Sequence, residues 1–283
     1  MLKILETSAG LRKHLDEQRL SGKKIGFVPT MGALHQGHGA LVTRARSECD
    51  LVVCSIFVNP TQFNDKKDLE HYPRTPDADR ALLESAGCDI IFSPSVDEMY
   101  PPGEKETVPA MHWGVLDRVM EAHYRPGHFG GVVRIVSKLF HAVGPCRTYF
   151  GQKDFQQLAV IRQMVRDLAL PVEVIGCPTV READGLAMSS RNMRLTAEER
   201  AIAPLLSRAL FLARELWPDH DEAVIRRRVL DMLAAEPRFR LEYFEIADAD
   251  TLLPLPAGHK KNAVACIAAY LGVVRLIDNV LLA

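Results

Sequence analysis

The sequence predicts an α/β fold in which a doubly wound parallel sheet comes first and a smaller α+β domain follows it. Apolar strand-like runs alternate with amphipathic helical runs over residues 24–176, and such alternating units form parallel sheets through right-handed crossovers. After Pro178, two helical stretches lead into a β-rich end, which is typical of an α+β domain. We therefore place a Rossmann-like domain at residues 1–177 and the smaller domain at residues 178–283.

Strand and helix patterns place the elements of the first domain in chain order. The apolar run at 24–28 predicts a buried strand that ends before Pro29, because proline cannot donate to a sheet ladder. The continuous apolar run at 51–58 predicts a strand covered on both faces. Helices are predicted at 8–20, 37–48, 75–87, 132–143 and 155–168, and further strands at 89–92, 147–150 and 172–176.

In the second domain, residues 179–186 predict a strand that enters an Asp-Gly turn. Helices are predicted at 196–217 and 221–235, and strands at 241–247, 263–270 and 273–277. One stretch of the first domain, residues 94–109, is rich in proline, which favours an irregular excursion or a lid over a sheet element.

Composition narrows the class of protein. A chain of 283 residues with 47% hydrophobic and 25% charged residues is ordinary for a globular protein, and its formal net charge of -1 gives no reason to expect nucleic acid or a membrane as a partner. The six cysteines contain no CxxC pair, which indicates reduced, packed thiols. The first 20 residues are too charged for a secretory signal. A soluble cytoplasmic enzyme is the expectation.

The most informative stretch, residues 25–42, joins a predicted strand to a helix through a glycine-punctuated turn that carries His35 and His38. A helix start offers unpaired N–H groups and the positive end of the dipole, and glycine lets a phosphate approach the backbone closely. Two imidazoles there can donate hydrogen bonds to a phosphate. The stretch therefore indicates nucleotide chemistry without a conventional phosphate loop, since the chain contains neither G-x-G-x-x-G nor G-x-x-x-x-G-K-S/T.

Other interpretations of these histidines stay open at this point. Histidines three residues apart can bind zinc on a helix, although no third-ligand motif accompanies them, and they can also be ordinary surface residues. Four more histidines could suggest a metal site, but their spacings fit no compact ligand set and favour scattered structural roles. These are His112, His123, His128 and His141.

Two more polar loops follow predicted strands, one with Lys153 at a helix start and one with Ser189, Ser190 and Arg191. Each alone is weak, since a serine pair is usually a cap or a turn. Together with the histidine turn, the loops resemble the pantoate–β-alanine ligase family, in the superfamily of HxGH nucleotidyltransferases that resembles class I aminoacyl-tRNA synthetases. The segments that carry the resemblance are PTMGALHQGH (29–38), SIFVNPTQF (55–63), YPRTP (72–76), RPGHFGGV (125–132), FGQKDFQQL (150–158) and PTVREADGLAMSSRN (178–192).

The resemblance implies an ATP-dependent ligation. Pantoate and ATP would form a pantoyl adenylate and pyrophosphate, and β-alanine would then give pantothenate and AMP. Mg²⁺ is expected to accompany ATP as the substrate, because it offsets the triphosphate charge. The smaller domain is expected to close over the nucleotide, and a homodimer in the cytoplasm is expected from the family.

Site residues follow by matching positions. The resemblance implies His38 as a proton donor, but we interpret His38, His35 and Lys153 as stabilisers of phosphate charge, because departing Mg-pyrophosphate requires no proton. Gln62 would bind pantoate and β-alanine, and Gln157 would bind pantoate. Asp154 would contact a ribose hydroxyl. The ATP positions are Met31, Gly32, Ala33, Leu34, His35, Gln36, Gly37, His38, Gly151, Gln152, Lys153, Asp154, Val180, Met188, Ser189, Ser190 and Arg191, and further substrate positions are Pro29, Thr30, Asn59, Tyr72 and Arg125.

Departures from the family pattern affect two positions. Asp79 is carried over weakly as a Mg²⁺ ligand, because Ala78 stands where some relatives carry another acid; Asp77 and Asp79 can equally complement a helix dipole. Gly39 stands where relatives usually have leucine, and it is expected to loosen its helix by roughly 0.5–1 kcal/mol.

Two competing functions stay open on the sequence alone. One is a nucleotidyltransferase that makes a nucleotide-linked product without an amine acceptor, but it leaves the Gln62 and Gln157 loops unexplained. The other is a catalytically silent nucleotide-binding scaffold, which loss of the histidines, Lys153 or the serine loop would favour. All of these residues are present.

Overall fold

Six strands form one parallel sheet within residues 2–63, 69–105, 107–256 and 258–282, which the computed structural model describes. The strands are β1 Lys3–Leu5, β2 Ile25–Thr30, β3 Leu51–Ile56, β4 Ile90–Phe92, β5 Cys146–Gly151 and β6 Val172–Cys177. Their order across the sheet is β1-β4-β3-β2-β5-β6. The chain therefore builds outward from β2 in one direction and from β5 in the other, which makes the β2–β5 boundary the point where strand order reverses.

Helices cover both faces of this sheet, as the alternating pattern predicts. Phe27 of β2 packs in a core with residues of the helices on one face, and the next residue, Val28, packs in a second core on the other face. The helices of the first domain are Ser8–Leu20, Gln36–Glu48, Pro76–Ser85, Val96–Met99, Met120–Tyr124, His128–Val143 and Phe155–Asp167. The predicted doubly wound α/β class is confirmed.

The part of the chain predicted as the second domain contains a three-stranded antiparallel sheet in the order β7-β8-β9, with β7 Phe239–Asp248, β8 Ala263–Leu271 and β9 Val274–Leu281. Its helices are Ala197–Ile202, Leu205–Leu216 and Glu222–Ala234. One face of the sheet packs on these helices. Residues of the other face, including Tyr243, Val264 and Cys266, belong to the core of the first domain.

Several details differ from the sequence-based expectations, among them the short helices Val96–Met99 and Met120–Tyr124, which were not predicted. The edge strand β1 was not predicted. β2 continues through Pro29, where it still pairs with β3. β5 pairs with β2 only at Gly26 and Phe27, so the edge of β2 that faces β5 needs no backbone N–H donor at Pro29. Residues 179–186 form no strand but a turn closed by a single bridge between Arg181 and Ala187. The predicted helix at 196–217 is interrupted around Pro204.

A buried cluster of charged residues joins the three-stranded sheet to the helix Met120–Tyr124. Arg275 on β9 donates to both carboxylate oxygens of Glu121 at 2.8 Å each, and the Tyr243 hydroxyl donates to the same carboxylate at 2.8 Å. Arg275 also contacts Glu242 at 2.7 Å. Burial opposes the charge of Glu121, but hydrogen bonds and charge from Arg275 lower its pKa below the ordinary value. The cluster therefore fixes the β7–β9 sheet against the first domain.

Within the described residues, no helix is both long enough and apolar enough to cross a membrane.

Candidate active site

A cavity of about 210 Å³ opens where the carboxyl ends of β2 and β5 meet, at the reversal of strand order. Ligands of open α/β sheets bind at such a point. The cavity brings together most of the predicted site residues from distant parts of the chain. They are Pro29, Thr30, Met31, His35, Gly37, His38, Asn59, Gln62, Tyr72, Gly151, Lys153, Asp154, Gln157, Val180, Met188, Ser189, Ser190 and Arg191.

The side chains of the two histidines accept hydrogen bonds from backbone N–H groups at the start of the helix Gln36–Glu48. Nδ1 of His35 accepts from the N–H of Gly37 at 3.1 Å, and Nδ1 of His38 accepts from the N–H of His35 at 3.3 Å. The ring centroids are 4.1 Å apart. Because both Nδ1 atoms accept, each neutral ring carries its proton on Nε2 and can donate it in a hydrogen bond to a ligand.

Both imidazoles are neutral near pH 7. Burial lowers the pKa of His35 to about 4, and the charge of Lys153 acts in the same direction. Burial lowers the pKa of His38 to about 3, with smaller contributions from His35 and Lys153. A neutral imidazole can donate a hydrogen bond to a phosphate and keep its proton. The pair is therefore suited to stabilise charge.

Part of the predicted phosphate turn lies outside the cavity lining, namely Gly32, Ala33, Leu34 and Gln36. The N–H of Ala33 donates to Oδ2 of Asp79 at 3.0 Å, and the N–H of Leu34 donates to Oδ1 at 2.7 Å. Asp79 also lies outside the lining. At two positions of the turn, the backbone donors thus bond to a buried carboxylate.

The loop after β3 is held by Asn59, whose side chain is almost fully buried. Its Nδ2 donates to the Gly131 carbonyl at 3.1 Å and to Oε1 of Gln62 at 3.2 Å, and its Oδ1 accepts from the Tyr100 hydroxyl at 2.7 Å. Tyr100 lies in the proline-rich stretch predicted as a possible lid. That stretch therefore contacts the wall of the cavity, while its action as a lid stays a prediction.

The backbone of the same loop is held by His128, for which the sequence favoured a structural role over metal binding. Its Nδ1 contacts the Gln62 carbonyl at 2.8 Å, and its Nε2 contacts Nη1 of Arg125 at 3.1 Å. Arginine can only donate, so Nε2 accepts and Nδ1 donates. Burial and the charge of Arg125 lower the pKa of His128 to about 4. His128 is thus a neutral donor that positions Gln62.

The loop after β5 is held from the second domain. Lys153 lies in the short 3-10 helix Gln152–Asp154, with Nζ 3.9 Å from Oδ1 of Asp154. Nδ2 of Asn279, on β9, donates to the carbonyls of Gln152 and Lys153 at 2.8 Å each. Asn279 is buried. No motif of the sequence pointed to this residue, because its role arises from a contact 126 positions along the chain.

The two adjacent glutamines after Lys153 have different surroundings. Gln156 is buried, where its Oε1 accepts from the N–H of Glu121 at 2.9 Å and its Nε2 donates to two carbonyls. Gln157 lines the cavity. Helical geometry turns successive side chains by about 100°, which separates the pair.

The serine loop is anchored by an ion pair whose carboxylate is buried. Arg181 donates to both carboxylate oxygens of Asp278 at 2.6 and 3.0 Å, and the N–H of Met188 donates to the Val180 carbonyl at 3.0 Å. Oγ of Ser189 accepts from the N–H of Arg191 at 3.2 Å. The loop is therefore ordered by its own turn and by β9.

Arg125 lies outside the first cavity and lines an adjoining one of about 600 Å³. Lys153, Asp154, Ser189 and Arg191 line both cavities.

Sequence reasoning missed the apolar wall of the cavity. Four residues of the helix His128–Val143 line it, together with Phe57 and Tyr149. This helix is buried on nearly all sides, so its apolar pattern could not distinguish a cavity wall from core. The four residues are Val132, Ile135, Val136 and Leu139.

These features define a class of proteins: α/β enzymes that bind an anionic substrate at the reversal point of a parallel sheet. Comparisons with known proteins identify the family. The family model described as pantoate-beta-alanine ligase matches residues 3–281. The chain is 52% identical over 280 residues to a pantothenate synthetase of Porphyromonas gingivalis, which covers 99% of each protein.

Solved structures agree. A crystal structure of pantothenate synthetase from Thermus thermophilus matches with a TM-score of 0.92 and 47% identity, covering 99% of both chains. A pantoate-beta-alanine ligase from Francisella tularensis, crystallised with beta-gamma ATP and beta-alanine, matches with a TM-score of 0.80 and 33% identity over 99% of this chain and 98% of that chain. The chain therefore belongs to the pantoate–β-alanine ligase family, and it is an ATP-dependent ligase.

Proposed function

We propose that this chain makes pantothenate in two steps at the cavity between β2 and β5. A carboxylate oxygen of pantoate attacks the α-phosphorus of ATP, the bond to the pyrophosphate oxygen breaks, and pantoyl adenylate forms. The amine of β-alanine then attacks the acyl carbon, loses a proton, and AMP leaves. Adenylation is needed because a carboxylate oxygen is a poor leaving group.

One observation carries this proposal: groups suited to phosphate and groups suited to a hydroxy acid line a single cavity. His35, His38 and Lys153 provide N–H donors and positive charge, while Gln62 and Gln157 provide amides. An amide can donate and accept at once, which suits a substrate with both hydroxyl and carboxylate groups. The arrangement supports a reaction that joins a phosphate to a carboxylate.

The role proposed for the histidines is to stabilise the charge that develops on the phosphates. Donors that are already in place are most effective where charge increases in the transition state. The lowered pKa values of His35 and His38 support neutral donors rather than proton-transfer groups. Lys153 would neutralise phosphate charge directly.

Pantoate carries two methyl groups beside its hydroxyl groups, and the apolar wall suits them. Val132 and Val136 line the cavity from one helix and Phe57 lines it from the end of β3. Burial of methyl groups against such side chains contributes roughly 0.8 kcal/mol for each carbon. We propose that this wall, with Gln62 and Gln157, binds pantoate.

For the nucleotide, we propose the remaining cavity residues. Asp154 would accept from a ribose hydroxyl, and Val180 and Met188 would contact the adenosine. Ser189, Ser190 and Arg191 would bind phosphate, since hydroxyl and guanidinium donors suit anionic oxygens. Asn279 donates to the carbonyls of Gln152 and Lys153. These two bonds would fix the position of the loop after β5 against the nucleotide.

Mg²⁺ is proposed to enter with ATP. In the part of the chain that the structure describes, no group of three or more His, Cys, Asp or Glu side chains is placed to hold a metal ion. Mg²⁺ usually keeps several waters and binds substrate phosphates with one or two protein ligands. We propose that the triphosphate itself holds most of the ion's coordination sphere.

A homodimer and a cytoplasmic location are also proposed. The family resemblance supports the first, and six free cysteines support a reducing compartment. Light scattering on the purified chain would test the oligomeric state.

Product analysis tests the reaction. Purified protein is incubated with ATP, Mg²⁺ and pantoate, with and without β-alanine, and AMP and pyrophosphate are measured separately. We expect AMP and pantothenate only when β-alanine is present. Pyrophosphate release without an amide product would instead support the nucleotidyltransferase alternative, and no turnover of either kind would support a silent binder.

A further inference from the structure

Asp79 is a charged residue buried beneath the histidine turn. It lies in the first turns of the helix Pro76–Ser85, and only 2% of its surface is exposed. Its Oδ1 accepts from the Leu34 N–H at 2.7 Å and from the Thr75 hydroxyl at 2.9 Å, and its Oδ2 accepts from the Ala33 N–H at 3.0 Å. Both oxygens therefore have partners within the protein.

The turn that Asp79 contacts has an unfavourable backbone. Gly32 has φ 83° and Ala33 has φ 51°, so two successive residues occupy the left-handed region. For alanine this region costs roughly 1–2 kcal/mol, and surrounding contacts must hold it. Asp79 accepts its two charge-assisted backbone bonds from the N–H groups of Ala33 and of the residue after it. The next residue, His35, is the N-cap of the helix that follows.

Gly32 also lies close to the Asp79 carboxylate. A Cβ atom added to Gly32 would lie 3.2 Å from Oδ2 of Asp79 and 3.1 Å from the Ile56 side chain. The carboxylate thus fills the space under the turn and does not line the cavity that the histidines line.

We infer that Asp79 is a positioning residue, which acts through the Ala33 and Leu34 amides to fix the two histidines, and is not a Mg²⁺ ligand. The donor set supports this role over metal binding. Mg²⁺ demands near-octahedral geometry and usually keeps several waters, whereas this carboxylate is 2% exposed and three donors already use most of its acceptor sites. At the neighbouring position 78, where a carboxylate could share a metal ion with Asp79, this chain has alanine.

The test compares Asp79→Asn with Asp77→Asn, which is the same change at an exposed position of the same helix turn. In the Asp79 variant an NH₂ group faces one backbone N–H, so one of the two bonds is lost. Amide hydrogen exchange is measured on the chain without ligands, so this readout does not depend on the proposed reaction. We expect the Ala33 and Leu34 amides to exchange faster in Asp79→Asn and at the wild-type rate in Asp77→Asn.

Kinetics provides the second readout, which rests on the proposed function. A misplaced histidine pair is expected to lower kcat about 10- to 100-fold, with an unchanged Mg²⁺ concentration for half-maximal rate. Recovery of the wild-type rate at high Mg²⁺, with unchanged exchange at Ala33 and Leu34, would overturn the inference in favour of a metal ligand. An inactive wild type would instead contradict the proposed function and leave the exchange result valid.

Thr75→Val covers the case in which Asp79→Asn does not fold. It keeps the carboxylate and removes only the 2.9 Å bond from the Thr75 hydroxyl. We expect faster exchange at Ala33 and Leu34 again, by a smaller factor. Exchange at the wild-type rate in this folded variant would count against the positioning role.

Discussion

The backbone N–H of His35 donates to Nδ1 of His38 at 3.3 Å, and this bond determines which nitrogen of His38 can reach a ligand. Nδ1 is occupied as an acceptor, so Nε2 carries the proton of the neutral ring. The same pattern holds at His35, whose Nδ1 accepts from Gly37. The turn thus presents two preset N–H donors, and the capping bonds that start the helix also select the tautomers.

The first prediction concerns His38. His38→Gln keeps an N–H donor close to the position of Nε2, whereas His38→Ala removes it. We expect His38→Ala to lower kcat by about 10²- to 10³-fold, as for loss of one preset donor to a developing charge, and His38→Gln to retain much of the activity. Single-turnover formation of the adenylate measures this directly. Equal loss in both variants would favour a proton donor over a charge stabiliser.

A second prediction concerns pH and stability. The pKa values of His35 and His128 are lowered to about 4, and that of His38 to about 3, against 6.5 in the unfolded chain. Below pH 6.5 the unfolded chain binds protons that the folded chain does not. The free energy of unfolding should therefore fall as pH decreases from 6.5 towards 4, and these histidines should add no pH dependence above 6.5.

Urea unfolding at several pH values measures this effect. Carboxylates also titrate at the acidic end, so the informative quantity is the difference between the wild type and His128→Asn. Asparagine keeps a donor for the Gln62 carbonyl but cannot titrate. The free energy of unfolding of His128→Asn should therefore change less steeply with pH below 6.5 than that of the wild type. Identical slopes in the two proteins would contradict a lowered pKa at His128.

The parts of the fold that were predictable from sequence are those set by local pattern. The strand run at 51–58 and the glycine turn before His38 indicate a parallel sheet and an anion site, and both follow from neighbouring residues. The bonds that Asp79 accepts from Ala33 and Leu34 span 46 and 45 positions of the chain, and those that Asn279 donates span more than 120. Such partners are fixed by packing, which no periodicity records.

Sequence rules based on neighbouring residues were also wrong at two strands, where pairing with a distant strand decided the structure. Pro29 did not end β2, because the neighbouring strand had already diverged. The three residues of β1 are too few to show a period, yet they pair with β4 at the edge of the sheet.

A third prediction concerns the close contact between the helix His128–Val143 and the Gln62 loop. A Cβ atom at Gly131 would lie 2.3 Å from the Thr61 carbonyl oxygen, whereas at Gly130 it would meet only a Val108 methyl at 3.5 Å. Gly131→Ala should destabilise the fold by about 1–3 kcal/mol and raise the KM for pantoate, because the Gln62 loop must move. Gly130→Ala is the matched control and should leave KM unchanged. Equal effects of the two changes would show that the loop is not held by this contact.

A fourth prediction concerns Gly39. A Cβ atom there would make ordinary contacts with the Gln36 and Leu82 side chains at 3.5 and 3.6 Å, and the backbone is helical. Gly39→Ala should therefore stabilise the protein by roughly 0.5–1 kcal/mol. Gly37→Ala, in the same helix, places a Cβ atom 2.8 Å from the His35 ring and should reduce both stability and activity. Thermal unfolding of the two variants separates helix propensity from the packing of the histidine turn.

The last prediction concerns Asn279, which we regard as a positioning residue for Lys153. Asn279→Ala removes two 2.8 Å bonds to the Gln152 and Lys153 carbonyls, and Asn279→Asp places a carboxylate against the same two oxygens. We expect kcat to fall in the order wild type, alanine, aspartate, because repulsion displaces the backbone further than loss of a donor does. In a Lys153→Ala chain the Asn279→Ala change should add little further loss, since both substitutions act through the same side chain. Additive losses in that double variant would mean that Asn279 affects activity by another route, such as the general stability of β9.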